Sequence, residues 1–180
     1  SGADEALAFD SLPPEDRERA EESLLRTVAE ATRLAAAKLL ETDPRDLRAT
    51  TELPGPEAPM VILSDATPGG AGYVRRLLEE PRFSARTLLA EALALLDCPR
   101  GPDCATSCNK CLNDYSNQQW WDVFDRHAAA RWLEGLVTRS APRPSHAPEA
   151  SVPVAPLGPR VLGPLIEGGN LLVLAVGRLW

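Results

Sequence analysis

The stretch Cys98-Pro99-Arg100-Gly101-Pro102-Asp103-Cys104-Ala105-Thr106-Ser107-Cys108-Asn109-Lys110-Cys111 holds all four cysteines of this 180-residue chain. A tetrahedral Zn²⁺ site needs four thiolates at about 2.3 Å from one point, and the two-residue gap between Cys108 and Cys111 lets a tight turn aim both sulfurs inward. Cys98 and Cys104 can complete the set, because the proline and glycine residues between them allow a wider loop. The spacing therefore predicts one structural zinc site with four cysteine ligands.

The sequence leaves two other states of these thiols open, namely an iron–sulfur cluster and oxidised or unligated cysteines. The first residues lack the layout of a signal peptide, so we expect a cytoplasmic protein in which a metal is favoured over disulfides. His127 is an alternative ligand in place of Cys98, although a helix histidine that faces solvent is the commoner case. Zinc bound by four thiolates has no open position for water, so we expect a structural ion.

The charge of the chain limits the classes of partner. It has 26 acidic and 19 basic side chains and a net charge of −7, which argues against a surface that holds nucleic acid by itself. Any contact with DNA is expected to be local or to come through a partner. No segment approaches the about 20 continuous apolar residues that span a bilayer, so we expect no membrane partner.

The apolar pattern around the cysteines predicts an α/β (α+β) domain that is small and mainly helical, with a short sheet and a four-cysteine zinc knuckle. Ser84 is expected to cap one of the helices. The predicted helices cover residues 14–41, 73–80, 84–96 and 122–138, and the predicted strands cover residues 45–53 and 60–63. The segment 54–59 is expected to be a loop, because it is rich in proline.

The composition changes sharply after the last predicted helix. Seven prolines lie between residues 139 and 164, which is typical of an extended linker. We therefore divide the chain into a zinc-binding domain at 1–138, a proline-rich linker at 139–160 and a C-terminal β-hairpin at 161–180. The hairpin either folds back on the main domain or begins a truncated element.

A glycine-rich turn follows the second predicted strand and precedes a helix. Such a turn can present backbone N–H groups to an anion, although its glycines can equally serve only to permit a sharp change of direction. It lacks the pattern of a P-loop, so nucleotide binding is not supported. The candidate anion or DNA contacts in this region are Gly69, Gly70, Gly72, Arg75 and Arg76.

Polar and aromatic residues are mixed in the segment 112–122, directly after the last cysteine. Trp120 and Trp121 are candidates for stacking on the bases of a single strand. A tryptophan pair beside a metal knuckle more often fills the small core around it. Trp120 is therefore a candidate DNA contact whose alternative role is packing.

The chain shows no catalytic constellation. Its two histidines are far apart in sequence, and no serine, histidine and aspartate grouping is evident, so nucleophilic catalysis lacks a base. We expect this chain alone not to be an enzyme. The alternative is a small metal-dependent nuclease or phosphoryl-transfer domain that uses Asp65 and the glycine-rich turn, with the cysteines as scaffold.

Several segments taken together carry a family resemblance. They are the strand that ends at Asp65, the turn Pro68-Gly69-Gly70-Ala71-Gly72-Tyr73, the sequence Cys108-Asn109-Lys110-Cys111-Leu112, and Tyr115-Ser116-Asn117-Gln118 followed by Phe124-Asp125-Arg126. This combination resembles the MrfA-like zinc-binding domain of bacterial helicase-type proteins. The order and spacing are closest to the DrmB type of the DISARM antiphage system, and the resemblance covers about residues 14–138.

The resemblance implies a zinc site at Cys98, Cys104, Cys108 and Cys111 in a non-catalytic module. Such a module accompanies a superfamily 2 helicase core, in cis or in trans, and reaches DNA through it during DNA repair or antiphage defence. The gap between Cys98 and Cys104 is wider than the spacing typical of the family. No Walker A motif occurs in this sequence. A third interpretation is a pure protein-interaction adaptor, which predicts no DNA contact even at low salt.

Overall fold

A computed structural model of the chain describes residues 13–52, 60–68, 70–139, 160–162 and 171–175. Its helices are α1 (Pro14–Leu40), α2 (Tyr73–Glu79), α3 (Ala85–Leu96) and α4 (Arg126–Arg139), and its strands are β1 (Leu47–Glu52), β2 (Met60–Asp65), β3 (Arg160–Leu162) and β4 (Leu171–Ala175). Short 3₁₀ turns lie at Pro44–Asp46, Gly101–Asp103 and Tyr115–Trp120. The predicted fold class, a mainly helical α+β domain with a short sheet, is confirmed.

Helix α1 is the central element of the domain. Proline in its first turn has a suitable φ and needs no hydrogen-bond partner, and acidic side chains there complement the helix dipole. The helix ends where Glu41 adopts a left-handed conformation and Thr42 N–H donates to the Ala37 carbonyl at 3.0 Å. Fully buried alanines at positions 31, 35 and 36 allow α3, α4 and β1 to pack closely against α1.

The sheet contains four antiparallel strands in the order β1-β2-β4-β3. In the β1–β2 pair, Leu47 lies opposite Asp65 and Glu52 lies opposite Met60. Val61 and Leu63 of β2 are fully buried, so one face of this strand belongs to the core shared with α1. Strand β4 pairs with the other edge of β2, which places part of the predicted C-terminal hairpin in the same sheet. The division into three domains stays a prediction.

The boundaries of two helices illustrate local capping. The Ser84 hydroxyl accepts a hydrogen bond from Thr87 N–H at 3.0 Å, as expected of the N-cap of α3. Helix α4 begins at Arg126 rather than at residue 122, because the Asp125 carboxylate accepts from the N–H groups of His127 and Ala128. The prediction that this helix starts at residue 122 was wrong, since the 3₁₀ turn and the loop after it precede this cap.

Several predictions fall outside the described residues. These are the loop at 54–59, Gly69, most of the proline-rich linker with His146, and much of the C-terminal hairpin. Among the helices that the structure describes, none combines the length and the apolar character needed to cross a membrane.

The packing of β2 can be tested with two substitutions in adjacent positions. We expect Leu63→Ala to lower the free energy of unfolding by about 2 to 5 kcal/mol, because it leaves a cavity in the core. Ile62→Ala is the matched control, since Ile62 lies in the same strand but is only half-buried. Urea denaturation of both variants at saturating zinc measures the difference. Equal losses would contradict the burial of one face of β2.

Candidate metal centre

The second cysteine pair forms a compact knuckle. Cys111 N–H donates to the Cys108 carbonyl at 3.1 Å, which closes the turn. Cys108 N–H lies 3.3 Å from Cys111 Sγ, and Lys110 N–H lies 3.4 Å from Cys108 Sγ. These N–H groups face the sulfur atoms and stabilise negative charge on them. The knuckle therefore favours thiolates, which are the form that binds metal.

The first cysteine pair is brought together by a wider loop after α3. Gly101 N–H donates to the Cys98 carbonyl at 2.8 Å, and Cys104 N–H donates to the Gly101 carbonyl at 3.2 Å. Gly101 has a φ of +53°, a left-handed conformation that glycine adopts without strain. This glycine explains how the chain can turn within the five residues that separate the two cysteines.

The four sulfur atoms converge on one point. All of them lie within 4.8 Å of one another, with separations of 3.5 Å for Cys98–Cys108 and 3.8 Å for Cys104–Cys111. Zinc–sulfur bonds of about 2.3 Å in a tetrahedron place the sulfurs about 3.8 Å apart, so the cluster has the size that one zinc ion requires. The separations are far longer than the about 2.05 Å of a disulfide bond.

The donor set also distinguishes between the metals considered above. Iron–sulfur clusters with several irons give each iron its own cysteines, which spreads the sulfurs more widely than a single shared ion does. His127 is exposed and lies outside the cluster, and in the described part of the chain the metal-binding group consists of cysteines alone. The cofactor is zinc, and four thiolates leave it no open coordination position.

The thiols differ in acidity because their surroundings differ. Burial raises the pKa of Cys104, and burial also raises the pKa of Cys111 to about 12. Burial acts in the same direction on Cys108, but the Lys110 N–H and the neighbouring thiols outweigh it and lower the pKa of Cys108 to about 7. Since zinc binds thiolates, metal binding must displace protons from this cluster, and zinc affinity falls as the pH is lowered.

Arg126 holds the loop of the first cysteine pair against α4. Its guanidinium donates to the Cys104 carbonyl at 2.9 and 3.1 Å, to the Gly101 carbonyl at 2.9 Å and to the Leu96 carbonyl at 3.3 Å. The side chain is only 8% exposed. A guanidinium has five N–H donors in a fixed plane, so it can fix several carbonyls at once. Arg126 thereby positions the loop that carries Cys98 and Cys104.

Asn117 connects the knuckle to helix α1. Its amide N–H₂ donates to the Leu112 carbonyl at 2.9 Å and to the Glu30 carboxylate at 2.8 Å. Its carbonyl oxygen accepts from Asp114 N–H and from Trp121 Nε1. Asn117 is nearly fully buried, so each of these bonds replaces one that water would otherwise make. The residue after the last cysteine is thus tied to the central helix.

Sequence reasoning gave Arg126 and Asn117 no role at the metal site. Both belong to the segments that carry the family resemblance, which was the available signal. Ser23 and Thr27 of α1 were missed in the same way, since Ser23 donates to the Val123 carbonyl at 2.6 Å and Thr27 accepts from Asp125 N–H at 2.9 Å. Polar residues on a helix are normally interpreted as a solvent-facing surface, and these instead bind the loop between the knuckle and α4.

Asp65, the candidate residue of the nuclease alternative, caps α2. Its carboxylate accepts hydrogen bonds from Gly72 N–H at 2.6 Å, Tyr73 N–H at 3.2 Å and Val74 N–H at 2.9 Å. These donors are the same backbone groups that an external anion would need. Asp65 therefore supplies the negative charge at this helix terminus, and the turn is explained within the fold.

The other candidate contacts near this turn also have partners. Gly70 N–H donates to the Thr67 carbonyl at 2.9 Å. Arg75 pairs with Glu79 and Arg76 pairs with Glu80, each at 2.8 Å. The anion-binding role of Gly70, Gly72, Arg75 and Arg76 stays a prediction, and Gly69 lies outside the described residues.

Trp120 lies on the opposite side of the knuckle, against α1. Its ring packs on the hydrophobic core, and the Arg26 guanidinium lies 3.9 Å from the ring centroid. Trp121 is partly exposed and donates its indole N–H to Asn117. The two tryptophans thus frame Asn117 and the residues after the knuckle.

The comparison with known families agrees with this geometry. Residues 28–112, which run from α1 to the end of the knuckle, match the family described as MrfA Zn-binding domain. The chain contains a MrfA Zn-binding domain. The predicted family and zinc cofactor are thereby confirmed.

One curated relative shows the scale of the proteins in which such a sequence occurs. Druantia protein DruE of Escherichia coli (strain UMEA 4076-1) is 35% identical to this chain over 131 residues, which is 67% of this chain and 7% of DruE. The chain therefore spans a small fraction of the length of its relative. No solved structure matches the chain.

The role of Arg126 can be measured through zinc affinity. We expect Arg126→Lys to weaken zinc binding by about 10- to 100-fold, because a single ammonium cannot hold three separate carbonyls of the ligand loop. Arg131→Lys, an exposed position on the same helix, is the matched control and should leave affinity unchanged. Competition with a chromophoric chelator gives both values. Unaltered affinity in Arg126→Lys would exclude the positioning role.

The cap at Asp65 predicts a graded effect on stability. Asp65→Ala should lower the free energy of unfolding by about 1 to 2 kcal/mol, because N–H groups at the start of α2 lose their acceptor. Asp65→Asn keeps one amide oxygen as an acceptor and should lose less. Asp122→Ala, at an exposed aspartate, is the control and should change stability by less than about 0.5 kcal/mol. Denaturant unfolding distinguishes the three, and an unaffected Asp65→Ala would contradict the cap.

Proposed function

We propose that this chain is a non-catalytic, zinc-binding accessory module of a larger helicase-type protein that acts on DNA in antiphage defence or DNA repair. The zinc ion stabilises the fold and performs no chemistry. The helicase core that it serves is in cis or in trans. The module helps to shape the path of DNA on that core.

The closed coordination of the metal is the observation that carries this proposal. Four cysteine sulfurs surround one point, and histidine and carboxylate side chains of the described residues stay outside this group. A catalytic zinc site normally keeps one position for water or substrate. A zinc ion in this cluster can therefore contribute folding free energy but cannot activate a nucleophile.

The extent of the match with DruE supports an accessory role. The chain corresponds to 7% of that protein, so most of what the relative does depends on sequence that this chain lacks. The resemblance to the domain of bacterial helicase-type proteins supplies the expectation of a DNA-acting motor. It is also the support for a defence or repair setting, together with the match to a Druantia protein.

The nuclease alternative is less well supported. It requires Asp65 to hold a catalytic metal, whereas both oxygens of this carboxylate accept hydrogen bonds from backbone N–H groups of α2. An incoming cation would compete with this cap. We accordingly expect the zinc-loaded chain alone to hydrolyse neither ATP nor DNA, with or without Mg²⁺.

The accessory role is tested in the protein that contains both the motor and this module, or in their complex. We expect Cys111→Ser to reduce DNA-stimulated ATP hydrolysis at least tenfold, while nucleotide binding by the motor is retained. Ala105→Ser adds the same hydroxyl to an exposed position of the same loop and should have no effect. Full activity of Cys111→Ser, or DNA cleavage by the isolated chain, would contradict the proposal.

A further inference from the structure

A basic groove lies between α1, β1 and the 3₁₀ turn at Tyr115–Trp120. It has a volume of about 380 Å³ and is lined by Arg26, Arg33, Arg45 and Arg48, with Glu30 as the one carboxylate among its lining residues. We call these four arginines and the surface between them the arginine groove. Its charge is opposite to that of the chain, which is −7 overall. This concentration of arginine in an acidic protein needs a physical explanation.

One of the four arginines is explained by the fold. Arg33 is buried, its guanidinium donates to the Glu30 carboxylate at 2.6 and 3.1 Å, and it also donates to the Pro44 carbonyl. Glu30 accepts from Asn117 as well. Arg33 and Glu30 therefore neutralise each other and form the floor of the arginine groove, so its available charge belongs to the other three arginines.

Arg45 and Arg48 present charge at the rim of the groove. Arg48 is exposed on β1, and in the described part of the chain no carboxylate pairs with it. Arg45 pairs with Asp43 at 2.7 Å, but its side chain is 76% exposed, and a surface ion pair of this kind contributes little. Asp46 and Asp114 lie near Arg45 and hold their own partners, Thr42 and Ser116 respectively.

Aromatic and polar groups accompany these charges. Arg26 lies over the ring of Trp120, and its Nε is buried without a hydrogen-bond partner, with the Glu22 carboxylate 3.8 Å away. Gln119 is an exposed lining residue. Tyr115, next to the lining residue Ser116, is 86% exposed. A tyrosine ring this open to solvent has no role in packing.

We propose that the arginine groove binds single-stranded nucleic acid directly, with phosphates at Arg45 and Arg48 and a base against the aromatic side chains of the 3₁₀ turn. Arginines beside aromatic rings are the combination that binds single strands, since cations contact the phosphates and rings stack on bases. The volume suits one nucleotide rather than a duplex. This inference rests on the proposed action on DNA and adds a direct contact to the contact through the helicase core.

The test uses the whole chain, loaded with zinc, and a short fluorescein-labelled oligothymidine at low salt. Fluorescence anisotropy should show binding that Arg48→Glu weakens at least tenfold, because it reverses a charge at the phosphate site. Arg86→Glu makes the same change of charge at an exposed position on α3 and should alter affinity by less than about twofold. Arg48→Ala should reduce the slope of log K against log salt by about 0.7.

The controls separate this inference from its competitors. Zinc content and circular dichroism of each variant establish that it is folded, and Tyr115→Ala should weaken binding without changing the salt slope. Equal losses in Arg48→Glu and Arg86→Glu would overturn the inference, since binding would then follow net charge alone. Competition by polyglutamate as strong as that by unlabelled oligothymidine would also overturn it, in favour of an acidic peptide.

Absence of binding at low salt would overturn the inference but not the proposed function. The effect of Cys111→Ser on the motor tests the accessory role by itself and does not need a direct DNA contact. No binding here together with a positive motor result would indicate an adaptor that contacts only the helicase core.

Discussion

The convergence of four thiolates on one ion is the constraint on which the rest of this domain depends. Between Asp97 and Asp125 the buried apolar residues other than cysteines are Leu112 and Phe124, too few to hold nearly 30 residues in one conformation. The ordering of this segment must therefore come from the metal and from polar contacts. Without zinc, the buried sulfurs would lose the charge that compensates them.

Polar side chains transmit this order to the helices. Arg126 binds three backbone carbonyls on the side of Cys98 and Cys104, and Asn117 joins the residue after Cys111 to Glu30 of α1. Such buried bonds are directional, so they fix the orientation of the zinc loop relative to α1 and α4 more narrowly than apolar packing does. The floor of the arginine groove belongs to the same network, through Arg33 and Glu30. The metal centre and the groove are thus mechanically connected.

The sequence predicted those features that depend on local pattern. The cysteine spacing indicated the zinc site, and apolar periodicity located α1, α3 and β2 within a few residues. It did not reveal Arg126 or Asn117, because their partners are backbone carbonyls, which carry no residue-specific signal. The use of Asp65 as a cap was also hidden, since its donors come after a turn. The pairing of β4 with β2 joins strands that are more than 100 residues apart, and no local pattern encodes it.

X-ray absorption spectroscopy at the zinc edge, on protein purified without added metal, tests the central claim most directly. The account predicts one zinc per chain and a first shell of four sulfur atoms at about 2.3 Å. A shell of three sulfurs and one nitrogen would show that His127 replaces a cysteine, which contradicts the structure. Iron in place of zinc, or protein that is folded without metal, would contradict the claim that a closed zinc site organises this domain.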